Sequence, residues 1–197
     1  MNSFDFFEKF KNLFVEPESL SVLRKDWNSR EKFTKTIISF IENILPNNKE
    51  YYRQREYYRI DLVGWKNQKN ELEKSNIKPN TTYTLNEHFW SLDIAIEHEN
   101  DQFDWTDELI KLLYVNCPLR IVIGYYPENL SEESKKETLD YASKIVTLAN
   151  KDQTLIRSNQ EYMLILGKNH TDSKQLGKNT YSAYIYDNAL KKFIVIE

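Results

Sequence analysis

The sequence predicts an α/β domain with three layers, in which a mixed central β-sheet is flanked by helices. Two almost continuously apolar segments, LRIVIGYY and EYMLILG, are typical of strands that are covered on both faces. Segments with helical spacing, FDWTDELIKLLYV and SEESKKETLDYASKIVTLAN, alternate with them, and this order predicts right-handed crossovers between parallel strands. The C-terminal segment YSAYIYDNALKKFIVIE predicts an antiparallel hairpin that turns at DNAL, so the sheet is mixed.

The chain is expected to form a single domain, because 197 residues suit one domain with a substantial core. We divide it into an N-terminal helical extension (1–28), a core that bears the motifs (29–126), and a helix with the C-terminal strands (127–197). Apolar residues at helical spacing predict helices over residues 3–14 and 29–45. The polar stretch 66–87 allows no assignment.

Composition excludes several classes of protein. The net charge of −3 gives no basic excess, so any contact with nucleic acid must come from local clustering of charge. The single cysteine, Cys117, excludes an intrachain disulfide framework and a zinc site built from cysteines, and it fits a reducing cytoplasm. Cys117 is expected to be a small core residue. No apolar run has the length of a membrane span.

The segment YYRQREYYRIDLVGW is rich in tyrosine and arginine and predicts one long strand or two linked strands. Alternate residues of a continuous strand project from the same face. The expected face carries a basic and aromatic stripe that ends in an acid: Tyr51, Arg53, Arg55, Tyr57, Arg59 and Asp61.

A second strand, in LDIAIEHEN, begins as a core strand and ends in acidic residues. Asp93, Glu97 and Glu99 are spaced by even numbers of residues, so they are expected on one face. If the two strands are neighbours, Asp61 lies beside Glu97 and Glu99. Converging carboxylates repel one another unless a cation neutralises them, and such hard oxygen ligands suit Mg²⁺ or Mn²⁺. The competing interpretation is a solvated strand end, at which Glu97 and Glu99 face water and Asp61 pairs with Arg59 or a neighbouring lysine.

The segments RIDLVG and DIAIEHEN, followed by the helix WTDELIKLL, resemble the core of the PD-(D/E)xK nucleases, the restriction-endonuclease-like superfamily. The resemblance covers residues 30–126, in the order helix, strand, strand, helix, strand. It implies that Asp61 is the first metal-binding acid and Glu97 the second. Glu99 occupies the position of the family's lysine, which is a departure from the pattern. The long separation of Asp61 from Glu97 implies an insertion.

The missing lysine leaves the source of positive charge open. Lys111 is a candidate because its helix faces back toward the sheet, although it is equally suited to an exposed pair with Asp107. Lys66 is a weaker candidate. Alternatively, Glu99 is itself the general base or a ligand of a second metal ion.

The resemblance also implies a further metal-binding glutamate on the first core helix. Glu31 and Glu42 are the candidates, and the family's spacing favours Glu31, although an acid in a first helical turn is also favoured by the helix dipole.

Other catalytic centres are disfavoured. His98 is expected to point away from Glu97 and to pack in the core, His88 is expected to be structural, and His170 lies in a polar loop. The four glycines form neither a phosphate-binding loop nor a nucleophile elbow.

The leading hypothesis is therefore a Mg²⁺- or Mn²⁺-dependent endonuclease that acts on DNA. Asp61 and Glu97 would bind the metal, with Glu99 and Lys111 assisting, while Arg53, Arg55 and Arg59 would contact phosphates. A homodimer is compatible with cleavage of both strands. Two alternatives stay open. One is a non-catalytic binding or regulatory protein of the same fold, for example in phage defence. The other is an α/β binding module whose acids only decorate the surface.

Overall fold

The described residues form a seven-stranded mixed sheet with helices on both faces. A computed structural model of the chain describes residues 1–68, 90–102, 104–152, 160–170 and 172–196. The strands are β1 (Tyr51–Tyr57), β2 (Ile60–Asn67), β3 (Trp90–His98), β4 (Leu119–Pro127), β5 (Glu161–Asn169), β6 (Tyr181–Asp187) and β7 (Lys192–Ile196). The α-helices are α1 (Ser3–Asn12), α2 (Pro17–Asp26), α3 (Arg30–Ile44), α4 (Trp105–Leu113) and α5 (Glu132–Asp152).

The strands lie side by side in chain order, from β1 to β7. β1, β2 and β3 are antiparallel, β3, β4 and β5 are parallel, and β5, β6 and β7 are again antiparallel. Parallel neighbours require a crossover connection, and α4 and α5 supply the two that the described sheet needs. The predicted mixed sheet is confirmed, as are the two neighbours of the acidic strand β3, which are β2 and β4.

Two apolar clusters fill the space between the sheet and its helical layers. The first joins α1, α2 and α3 to one face of the sheet, through residues such as Phe10, Leu23 and Ile37. The second joins α4 and α5 to the other face, and the fully buried Trp105 lies in it. Cys117 is buried in this second cluster, as the sequence predicted. Among the described helices, none combines the length and apolarity that a membrane crossing requires.

The N-terminal region contains one helix more than the sequence predicted. The predicted helix over 3–14 corresponds to α1, whose N-terminus is capped by Asn2 through a 2.8 Å bond from the Asp5 N–H. The additional helix α2 begins at Pro17, where a missing N–H costs no helical hydrogen bond. The proline of the stretch VEPES thus starts a helix.

The tyrosine-rich segment forms two linked strands in a hairpin, which was one of the two predicted arrangements. The stripe expected of one continuous strand therefore does not extend to Asp61. The chain turns at Tyr58 and Arg59, and both residues have positive φ angles, of 49° and 65°. Arg55 pairs with Leu62, whose side chain lies in the cluster on the α3 side. Paired residues project to the same side and adjacent residues to opposite sides. Arg53 and Arg55 therefore lie on one face of the sheet and Asp61 on the other.

The C-terminal hairpin agrees with its prediction, since β6 ends at Asp187 and β7 begins at Lys192. Most of the unassigned stretch 66–87, and the predicted packing role of His88, lie outside the described residues.

Close packing between β4 and α4 gives a first testable prediction. A Cβ atom added at Gly124 would lie 2.6 Å from the Cβ of Trp105, so Gly124→Ala must displace α4 from the sheet. We expect a loss of about 1–3 kcal/mol in the free energy of unfolding, which urea denaturation measures. Gly177→Ala is the matched control, because a Cβ there meets no atom within 4 Å. Equal stability of the two variants would contradict this packing.

Candidate functional site

Asp61 and Glu97 meet where β2 begins and β3 ends. Each lies one position beyond the paired residues Leu62 and Ile96, on the face of the sheet that α4 covers. The backbone nitrogen of Asp61 is 3.4 Å from Glu97 Oε2. The predicted neighbourhood of these two acids is therefore present in the structure, although β2 and β3 are far apart in sequence.

Glu97 is a buried carboxyl group, with 2% of its surface exposed. Burial raises the pKa of Glu97 to about 8, and the charges of Asp61 and Glu108 act in the same direction. Lys111 opposes these effects without cancelling them. Glu97 therefore holds a proton more tightly than an ordinary glutamate, and any nearby positive charge favours its ionised form.

Asp61 is held by a hydrogen bond from the end of β3. Its Oδ2 atom accepts a hydrogen bond of 2.8 Å from the backbone N–H of His98. Burial raises the pKa of Asp61, while this hydrogen bond favours the ionised form and lowers it. The charges of Glu56 and Glu108 also raise that pKa. The hydrogen bond fixes the position of one Asp61 oxygen relative to the end of β3.

Lys111 reaches the two acids from α4. Its Nζ atom is 2.7 Å from Glu97 Oε1, also forms an ion pair with Glu108, and donates a 2.9 Å hydrogen bond to the carbonyl of Arg59. Burial lowers the pKa of Lys111, but the contacts with Glu108 and Glu97 outweigh burial and raise it. The interpretation that pairs Lys111 with Asp107 is wrong, because the side chain turns toward the sheet and meets Glu108 instead.

Glu108 is the member of this group that the sequence analysis missed. It lies one helical turn before Lys111, beside the buried stripe of α4 that includes Trp105 and Leu112. Residues three apart are neighbours on a helix surface, so the spacing of Glu108 and Lys111 was the available signal. We call Asp61, Glu97, Glu108 and Lys111 the acid–lysine cluster.

The acid–lysine cluster contains three carboxyl groups and one ammonium group, and two of its carboxyl oxygens are poorly satisfied. Glu97 Oε1 and Glu108 Oε2 are buried without a partner in hydrogen-bond geometry, although each lies within ion-pair distance of Lys111. Such an oxygen is suited to a hard cation, and Mg²⁺ binds through one or two carboxylates while keeping several waters. Within residues 1–68, 90–102, 104–152, 160–170 and 172–196, no three His, Cys, Asp or Glu side chains form a ready-made metal cage. A cation held by Asp61 and Glu97 would therefore have to keep most of its waters.

Glu99 and Asp93 do not join the acid–lysine cluster. Glu99 follows the end of β3, and its Oε1 atom accepts a 2.7 Å hydrogen bond from the Asp101 N–H, which closes a turn. Asp93 forms an ion pair of 2.5 Å with Lys66, next to the point where the pairing of β2 with β3 shifts register. The expected common face of Asp93, Glu97 and Glu99 is interrupted by this irregularity and by the end of the strand.

Both glutamates considered on α3 have other partners. Glu31 is exposed and forms an ion pair of 2.5 Å with Lys35. Glu42 faces β1, where its carboxylate accepts a 2.8 Å hydrogen bond from Arg55 Nε and its carbonyl one of 2.7 Å from Arg53 Nη1. These contacts occupy the α3 face of the sheet, which is the face opposite to Asp61 and Glu97.

Of the three arginines predicted to bind phosphates, Arg59 is the one beside the acids. It is exposed at the tip of the β1–β2 hairpin, two residues before Asp61, and its carbonyl contacts Lys111. Arg53 and Arg55 are held by α3 through Glu42. The structure therefore separates a basic position at the site from two that brace the hairpin against a helix.

His98 packs in the core, as the sequence predicted. Its Nε2 atom is 2.9 Å from the Tyr125 hydroxyl, and its Nδ1 atom is 3.3 Å from Thr34 Oγ1. Tyr125 in turn lies 2.6 Å from the Tyr181 hydroxyl. Burial lowers the pKa of His98 to about 3, so the ring is neutral at physiological pH. His98 serves the site through its backbone, which binds Asp61.

No protein-family model, curated protein or solved structure matches this chain. The function must therefore be inferred from the chemistry of the acid–lysine cluster.

The buried carboxyl group of Glu97 predicts an unusual dependence of stability on pH. Its pKa of about 8 in the folded state lies above the ordinary value of 4.5, so the folded state binds the proton more tightly. The contribution of this proton to the stability of the folded state is complete below pH 4.5 and is lost as the pH rises through 8. The side chain of Glu97→Gln does not ionise. We therefore expect the free energy of unfolding of this variant, relative to the wild type, to increase between pH 5 and 9 by a few kcal/mol, at about 1.4 kcal/mol per pKa unit.

Urea denaturation at several pH values measures this difference. Glu31→Gln is the control, because Lys35 lowers the pKa of the exposed Glu31 and the group is ionised throughout the window. A difference between wild type and Glu97→Gln that stays constant with pH would show that Glu97 ionises normally.

Proposed function

We propose that the chain is a metal-dependent nuclease of the PD-(D/E)xK type that hydrolyses phosphodiester bonds in DNA, on a restriction-endonuclease-like fold. The observation that carries the proposal is the meeting of Asp61 and Glu97 on adjacent strands, with Lys111 paired to Glu97. Two acids and a lysine are the groups that this chemistry uses. They come together here from three separate elements, β2, β3 and α4.

Asp61 and Glu97 are the proposed holders of Mg²⁺ or Mn²⁺. When bound, the metal supplies a more acidic water and positive charge for the phosphodiester under attack. The His98 N–H keeps one Asp61 oxygen fixed, and the remaining carboxylate oxygens provide the hard ligands. Loss of the Glu97 proton accompanies binding, because a carboxylate must be ionised to bind a cation.

Lys111 takes the role of the lysine that is missing at position 99. Its ammonium group is held by Glu97, Glu108 and the Arg59 carbonyl, so its charge is oriented before any substrate arrives. An oriented charge in a site shielded from water stabilises developing negative charge more strongly than a mobile one. Glu108 positions Lys111, and Glu99, which closes its own turn with Asp101, has no direct part in this arrangement.

A second candidate function is a non-catalytic binding or regulatory protein of the same fold. The hydrogen bonds from Arg53 and Arg55 to Glu42 favour it, because they hold both arginines on the face of the sheet opposite to the acids. In such a protein the ion pairs of Lys111 would serve only to hold α4 on the sheet. Cleavage measurements separate the two functions.

Metal binding at the acid pair predicts a rise in thermal stability. A ligand that binds only the folded state stabilises it by about 2.7 kcal/mol at 100 times its dissociation constant. We expect Mn²⁺ to raise the melting temperature of the wild type and to have little effect on Asp61→Asn or Glu97→Gln. Asp93→Asn, which alters a buried acid outside the acid–lysine cluster, is the control. An equal shift in all four proteins would place the metal elsewhere.

Catalysis predicts a sharper pattern. With Mg²⁺ or Mn²⁺, the wild type should cleave DNA, and Asp61→Asn or Glu97→Gln should abolish cleavage while circular dichroism shows an intact fold. Loss of an oriented charge costs roughly 10²-fold or more in rate, so Lys111→Met should be nearly inactive. Glu99→Gln should stay within a few-fold of the wild type, because its contact is a turn hydrogen bond.

Two results would redirect the assignment. Strong loss of cleavage in Glu99→Gln with retention in Lys111→Met would make Glu99 the base or a metal ligand. If the wild type cleaved neither single- nor double-stranded DNA or RNA, the nuclease proposal would be rejected, and the non-catalytic binding protein would be the remaining candidate.

A further inference from the structure

The tip of the β1–β2 hairpin has a backbone that its residues do not favour. Tyr57 pairs with Ile60, so the connection has two residues, and both have positive φ: 49° at Tyr58 and 65° at Arg59. Two-residue hairpins with positive φ at both positions normally use Asn-Gly or Gly-Gly, because large side chains are strained there. Glu56, with φ of 53°, adds a third such position. The tip therefore keeps bulky side chains at a cost in stability.

Tyr58 is the most exposed large apolar side chain among the described residues, at 83%. Its ring is nevertheless supported, since it lies 4.7 Å from the ring of Tyr57 at an angle of 87°. Tyr57 in turn lies 5.0 Å from Trp65, also edge to face. An exposed ring that rests on Tyr57, which itself packs against Trp65, is a preformed surface for stacking.

The hairpin tip is attached to the acid–lysine cluster. The Arg59 carbonyl accepts the hydrogen bond from Lys111, and the acid Asp61 follows two residues later. Tyr58 and the exposed Arg59 side chain are thus anchored at the rim of the group that we propose to hydrolyse phosphodiesters. Strained backbone that places exposed side chains beside a reactive site indicates a role in function.

We propose that Tyr58 and Arg59 bind single-stranded DNA, with Tyr58 stacking on an unpaired base and Arg59 contacting a phosphate next to the bond that is cut. This inference rests on the proposed nuclease function and names its substrate as DNA with unpaired nucleotides. An exposed aromatic ring stacks on a base only when a base face is accessible, which the interior of a duplex does not offer. Because the chain carries a net charge of −3, binding must depend on local contacts such as these.

Binding of a fluorescently labelled oligothymidylate tests the proposal without relying on cleavage. The background is the full chain with Glu97→Gln, which removes one carboxylate and, on the proposed function, the cleavage. In this background Tyr58→Ala should weaken binding roughly 5- to 100-fold, the range found when a stacking aromatic is truncated. Tyr58→Phe should bind as before, because it keeps the ring. Arg59→Ala should weaken binding and lower the dependence on salt by about one phosphate contact.

Tyr114 supplies the matched control. It is 81% exposed, but it follows the C-terminus of α4, near the start of β4 and away from the end of β3 that holds the acids. Tyr114→Ala should therefore leave binding unchanged. Equal binding by Tyr58→Ala and Tyr114→Ala would overturn the proposal.

The double variant Tyr58→Asn, Arg59→Gly separates a binding role from a structural one. Asn-Gly suits this turn, so we expect a higher melting temperature together with lost binding to oligothymidylate. A lower melting temperature would show that Tyr58 and Arg59 are present for stability and would overturn the proposal.

The outcomes also distinguish this inference from the nuclease assignment. If binding depends on Tyr58 but no DNA is cleaved with any metal ion, the result supports binding of single-stranded DNA at Tyr58 and rejects the nuclease function. Cleavage of a blunt duplex that is unaffected by Tyr58→Ala supports the nuclease and overturns the inference. Failure of the Glu97→Gln chain to bind oligothymidylate at low salt overturns it directly.

Discussion

A carboxyl group that is only 2% exposed has to be neutralised, and Glu97 meets this requirement with a proton or with the ammonium group of Lys111. The contact is made by a helix that already packs on the sheet through Trp105 and Leu109. Apolar packing thus holds α4 at the distance at which Lys111 meets the end of β3. Truncating one partner of a buried ion pair leaves the other without compensation, so the pair holds the local structure in place even if it adds little net stability.

The same arrangement explains why the site lies at this end of the sheet. β2 begins and β3 ends here, so backbone groups that the ladder leaves unpaired are available, and the His98 N–H binds Asp61. The turn at Tyr58 and Arg59 also lies at this end and supplies the carbonyl that Lys111 needs. Strand ends and one helix face therefore bring together two carboxyl groups, the lysine that balances them and an exposed aromatic side chain.

Much of the fold could be predicted from the sequence because its buried strands and amphipathic helices have clear periodicity. The proximity of Asp61 and Glu97 followed from placing their strands side by side. The hairpin turn was not visible, since the chain uses Tyr58 and Arg59 where Asn and Gly would have signalled a turn. The irregular register beside Asp93 depends on tertiary packing, which local sequence does not encode. Helical spacing allowed both Asp107 and Glu108 as partners of Lys111, and tertiary packing decides in favour of Glu108.

His98 connects the two faces of the sheet, and this connection has a consequence for genetic screens. Its ring is hydrogen-bonded to the Tyr125 hydroxyl, which is hydrogen-bonded to that of Tyr181. Tyr181 packs against Phe10 and Phe14 near the N-terminus. Its backbone holds Asp61 on the opposite face of the sheet. A screen for loss of the proposed function would therefore recover clones with changes in α1 and β6, far from the acids in sequence. Second-site suppressors of those clones would be concentrated among the aromatic residues around Tyr125, where repacking restores the position of the β3 backbone.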